Sequence, residues 1–132
     1  MNELIARLKA KEEYTKDIHY NVRGLTAIEL HKYADEVGAD LSEFQDSIKE
    51  ICLLGNNKEP LSSKEYMQRA IMLIPELPKD DKDKFKKLSD IIDTTLMYIQ
   101  GLDLNNIADA NLIGGIAENL QKSKGLINLI IE

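Results

Sequence analysis

Three observations predict an all-α fold, a single compact multi-helix bundle-like domain of five to seven helices over residues 1–132. The core-forming inventory is 18 Leu and 16 Ile against 2 Val, with 2 Phe and no Trp. Leu favours helices, and the scarcity of Val removes a common strand former. A six-residue helix start also occurs three times, as Leu25-Thr26-Ala27-Ile28-Glu29-Leu30, Ala39-Asp40-Leu41-Ser42-Glu43-Phe44 and Leu61-Ser62-Ser63-Lys64-Glu65-Tyr66. In each, a Thr, Asp or Ser can cap a backbone N–H, a Glu three residues on can cap back, and the flanking apolar pair can staple the entry. Finally, apolar residues recur at helical spacing along most of the chain.

Leu4, Ile5 and Leu8 define a short first helix over residues 2 to 14. Ile18-His19-Tyr20-Asn21-Val22 then alternates apolar and polar. A strand of that length needs a partner, and no other segment offers one, so the stretch reads as an extended linker. The helix after Thr26 collects Ala27, Leu30, Tyr33, Ala34 and Val37 on one side and stops at Gly38 in a left-handed cap. The next starts after Asp40, turns Leu41, Phe44, Ile48 and Ile51 inward, and is ended by Gly55-Asn56-Asn57. A fourth, from about residue 62 to 74, buries Tyr66, Met67, Ala70, Ile71 and Ile74 before Pro75 and Pro78 break the chain. The charged run from Lys79 to Lys84 opens what reads as the longest helix, reaching Gln100 with Phe85, Leu88, Ile92, Leu96 and Ile99 inward and Gly101 as its end. A helix over residues 104 to 122 follows, with Asp103 as its cap and a bend or close approach at Gly114-Gly115, before a strongly apolar last segment. The three helix starts are unevenly spaced, which excludes a solenoid repeat.

The charge pattern narrows the function. The net charge is −6, with 14 Lys to only 3 Arg. Nucleic-acid surfaces rely on clustered Arg and Lys, so both the sign and the kind of charge argue against one. Seven acids and two bases fall between Glu29 and Glu50, which concentrates the negative charge on one pair of helices. A lone Cys fits a reducing compartment, and neither a leader-like start nor a membrane-length apolar run is visible, so a cytoplasmic protein is expected.

Residues 30 to 50 resemble the spacing of the DNA-binding helix-turn-helix, carried by Tyr33, Ala34, Val37, Gly38, Ala39, Phe44 and Ile48. The resemblance implies that residues 26–54 could form a degenerate reading unit of a transcriptional regulator, with basic contacts supplied by Lys82, Lys84, Lys86 and Lys87. The exposed positions of its second helix carry Glu43, Asp46 and Glu50, which would oppose phosphates. The same three acids offer a face to a basic protein partner, or are simply solvated.

Catalytic chemistry has little support. Cys52 lies among Ile51, Leu53 and Leu54 near a helix C-terminus, where the macrodipole disfavours a thiolate, so it reads as a buried structural residue. His19 and His31 stand apart in sequence with no ligand spacing, and no metal or cofactor site follows from them. The Asp103 to Asp109 stretch fails the calcium-loop spacing. The C-terminal residues Leu126, Ile127, Leu129, Ile130 and Ile131 must dock into the core or into another copy of the chain. The reading is therefore a small non-enzymatic protein, a regulator, inhibitor or assembly factor, that binds another protein, with self-association possible, nucleic acid disfavoured and no membrane role.

Overall fold

The computed structural model describes residues 1–24 and 26–132. Six α-helices and no strand lie among them: α1 (Asn2–Asn21), α2 (Ala27–Gly38), α3 (Leu41–Ser47), α4 (Ser63–Ile71), α5 (Asp81–Gln100) and α6 (Ile107–Ile131). The fold is an all-α, bundle-like arrangement around α1. That helix supports α2, α3, α4 and α5, while α6 packs on α5 and on the continuation of α3. No described helix is long and apolar enough to cross a membrane.

The central position of α1 explains its length. Leu4, Ile5, Ala6, Leu8 and Ala10 are all buried, so the first half of the helix is covered on more than one side, as a hub must be, while its charged residues other than Lys11 stay at least partly exposed. Residues 18 to 22 are not a linker, because α1 continues to Asn21 and Ile18 is fully buried. The alternation there is incidental, since Ile18 also follows Leu4, Leu8, Lys11 and Thr15 at helical spacing. The buried amine of Lys84 donates to the Asn21 carbonyl at 2.8 Å and pairs with Asp81 at 2.8 Å, closing the end of α1 against the start of α5. Tyr14 Oη donates to the Lys84 carbonyl at 3.0 Å.

Of the three predicted caps only one forms as drawn. Ser62 accepts from the Glu65 N–H at 3.2 Å, and the Glu65 carboxylate accepts from the Ser62 N–H at 3.4 Å. Thr26 (φ −102°, ψ 14°) and Asp40 (φ 67°, ψ −2°) precede their helices without side-chain cap bonds. Both lie outside the extended backbone region that aims a capping oxygen at the first turn. The staple assigned to Leu25 lies outside the described residues. At the end of α2 the left-handed residue is Asp40 rather than Gly38. Gly38 has a different role, since a Cβ there would come within 2.9 Å of Thr15 Cγ2, and the small residue lets α2 sit close on α1.

After α3 the chain widens and then tightens, through a π-helical stretch (Ile48–Leu53) and a 3₁₀ turn (Leu54–Asn56). The wider turn changes the phase of the buried stripe. Ile51, expected inside, is 40% exposed, and Leu53 is buried beside Cys52, whose burial was expected. Within α5, Phe85, Leu88 and Ile92 are buried, and Gly101 ends the helix as anticipated. The longest helix is α6, with 25 residues, and its cap is Asn106 rather than Asp103. It runs unbroken through Gly114-Gly115, where a Cβ on either glycine would meet nothing from the rest of the fold within 4 Å, so they mark no close approach. Ile113, Ile116, Leu120 and Ile127 keep one stripe buried along its whole length, and that stripe carries the helix across the glycines.

Candidate functional site

The predicted acidic face is present as solvent-facing surface. Glu43 and Asp46 on α3 and Glu50 on the π-helical stretch are all exposed, and none pairs with a base among the described residues. The helices α2 and α3 rest chiefly on α1 rather than on each other, and the would-be reading helix ends after seven residues. Of the four candidate DNA-contacting lysines, Lys84 is buried in its pair with Asp81, whereas Lys82, Lys86 and Lys87 are exposed. In the C-terminal run Ile127 is fully buried, Leu126, Ile130 and Ile131 are half-buried, and Leu129 is 68% exposed. One stripe of that run docks into the chain's own core.

Cys52 is buried, as expected, and sits beside Asp109. Burial first, and then the neighbouring carboxylate, push its thiol up to about 11. Asn56 Nδ2 and Asn106 Nδ2 donate to Asp109 Oδ2 at 3.0 and 3.1 Å, and Asn56 Nδ2 also donates to the Cys52 carbonyl at 2.8 Å. This knot ties the end of the α3 extension to the start of α6. Its carboxylate is already occupied by amide donors and its thiol is held protonated, so the arrangement is structural rather than nucleophilic.

The histidines, far apart in sequence, meet in space. His19 and His31 stack with ring centroids 3.5 Å apart, and each Nδ1 lies on the other residue's carbonyl oxygen, at 3.2 and 2.5 Å. A carbonyl only accepts, so each Nδ1 carries the hydrogen. His19 lies near the end of α1 and His31 within the first turns of α2, on either side of their short connection, which is the signal in the sequence that an antiparallel helix pair would bring them together. No group of three metal-ligating side chains occurs among the described residues.

The feature that sequence reasoning missed lies between α1 and α4. A groove of about 390 Å³ is lined by Lys9, Glu13 and Asp17 on one side and by Met67, Ala70, Ile71 and Ile74 on the other. Met67 and Ile71, expected inside, are 52% and 66% exposed, and the adjoining Met72 is 88% exposed. The helix is anchored by Tyr66, whose hydroxyl donates to Asn2 Oδ1 at 2.6 Å and accepts from the Leu61 N–H at 2.9 Å. With Tyr66 and Ala70 turned onto α1 and Ile74 partly packed against the core, Met67 and Ile71 have no element over them among the described residues. The signal was the width of that stripe, since residues 66 and 70 together with 67, 71 and 74 span more of a helix than one neighbour covers. Along the opposite wall Lys9 is held by Glu12 and Glu13 at 3.3 Å each, and Lys16 lies 3.6 Å from Glu13. Asp17 has no basic group within 4 Å among the described residues, and burial, then the nearby Glu13, raise its carboxyl above the usual range.

Comparison with protein-family models, with curated proteins and with solved structures finds no match for this chain.

Proposed function

We propose that this chain is a non-enzymatic protein that acts by binding another protein through its helical surfaces, as a regulator, inhibitor or assembly factor does. The observation that carries the reading is the uncovered apolar strip of Met67, Ile71 and Met72 beside the groove between α1 and α4. Single exposed apolar residues such as Met97 or Ile107 are ordinary on a protein surface, whereas a contiguous strip rimmed by charged residues is a recognised mark of an interaction site. Methionine suits such a surface because its unbranched thioether repacks around different partners. The acidic character of the chain favours a partner with a basic surface, by steering encounter as well as by direct contact. The test is a photo-crosslinking amino acid placed at Ile71 or at Met97 in the cells that produce the protein. The expected result is a discrete protein adduct from position 71 that disappears with Met67→Lys. Equal labelling at the two positions would refute the reading.

A further inference from the structure

The groove also indicates what kind of segment it takes, an argument that rests on the protein-binding reading above. Its floor and one wall are apolar, from Ala70, Ile74, Met67 and Ile71, and its other wall ends in the carboxylates of Glu13 and Asp17. Apart from Ile74, which follows the end of α4, the lining residues stand on helices, so the site has no strand edge to which an extended peptide could add. A helix brings its own backbone bonds already made and needs only a side-chain face. We infer that the groove between α1 and α4 binds an amphipathic helix of another protein, with its apolar side chains lying against Met67, Ile71 and Ile74 and a Lys or Arg meeting Asp17.

Charge complementarity selects this occupant over two others. Glu13 shares Lys9 and Lys16, but Asp17 stands without a cation within 4 Å among the described residues, so a basic side chain from outside completes the rim. A second copy of this chain, docked about a two-fold axis, would present the same acidic rim to itself. An anionic lipid surface would be repelled by the same carboxylates.

The experiment uses the full chain with ¹³C-labelled methionine methyls, which report separately from Met1, Met67, Met72 and Met97. The probes are a designed amphipathic Leu/Lys helix of about 15 residues, long enough to fold on the surface, its twin with Glu for every Lys, and a scrambled Leu/Lys peptide of the same composition. The expected result is a saturable shift of the Met67 methyl with the amphipathic Lys peptide, at least tenfold weaker binding of the Glu and scrambled peptides, and no change at Met97. Asp17→Asn should weaken the Lys peptide about two- to fivefold, the range of a single exposed ion pair. Ile71→Lys should abolish the shift. The inference is overturned if the Glu peptide binds as well as the Lys peptide, if no peptide moves Met67, or if Asp17→Asn changes nothing. It also fails if Met67 moves on dilution of the free protein, which indicates a second copy, or with phosphatidylserine vesicles alone. A crosslink from position 71 in cells combined with any of these results would leave the protein-binding reading standing and remove only the basic-helix assignment.

Discussion

Replacing Lys11 with Met should change the pH dependence of stability more than stability itself. Lys11 lies on α1 at 0% exposure, and its Nζ donates to the Val37 carbonyl, one of the last in α2 and so without a partner inside its own helix. Burial lowers its pKa from the ordinary 10.5 to about 8. The folded pKa is therefore the lower one, and the unfolded chain binds more protons between pH 8 and 10.5, so Lys11 makes the protein more stable as pH rises through that window. At 1.36 kcal/mol per pKa unit the whole window is worth about 3 kcal/mol, of which about 2 to 3 kcal/mol falls between pH 7 and pH 10. The neutral amine still donates to Val37, so the hydrogen bond survives the titration. Burial raises the pKa of Tyr14 and of Cys52, which acts in the opposite direction at alkaline pH, but both groups are present in the wild type and the variant and cancel in the difference. Urea unfolding followed by far-UV circular dichroism at pH 7, 8, 9 and 10 measures that difference directly. Lys11→Met should exceed the wild type by about 1 to 2 kcal/mol at pH 7, where it removes a buried charge, and fall below it by about 1 kcal/mol at pH 10, where it removes only a hydrogen bond. Two curves that run parallel across the whole range would show that Lys11 keeps its ordinary pKa in the fold and would refute the argument.

Three further outcomes are expected. Ser62→Ala should cost about 1 kcal/mol by chemical denaturation through loss of the formed capping box, whereas Thr26→Ala should cost less than half of that, and Asp40→Gly should stabilise by about 0.5 to 1 kcal/mol by relieving the left-handed backbone. Gly114→Ala and Gly115→Ala should each stabilise by about 0.5 to 1 kcal/mol, because both glycines are exposed mid-helix with open space for a methyl; a loss of stability in thermal melts would mean that α6 bends there after all. Ile127→Ala should cost about 2 to 5 kcal/mol and Leu129→Ala less than about 0.5 kcal/mol, so equal losses in urea titrations would show that the exposed side of the C-terminal run is covered in solution.

The helical class, the single-stripe burial of α5 and the stop at Gly101 could be read from the residues alone, because periodicity, leucine content and a terminating glycine act locally. The Ser62 box was legible for the same reason, since its donor and acceptor lie three residues apart. Burial of part of the C-terminal run was legible too, because so many apolar residues cannot all be left in water. What only the tertiary structure decided is which candidate signals are used and what each face meets. The backbone bends at Thr26 and Asp40 follow from how the chain enters α2 and α3, and they leave two good capping residues without a bond. The π-helical stretch buries Leu53 five residues after Ile48, a shift of phase that no count at 3.6 residues per turn anticipates. The meeting of His19 with His31 and the burial of Lys11 depend on α2 folding back along α1. The groove beside α4 exists because Tyr66 and Ala70 use the one available neighbour, leaving Met67 and Ile71 with none. A sequence specifies how apolar each face is, but whether a face is covered depends on how many other elements reach it, and that is a property of the packed chain.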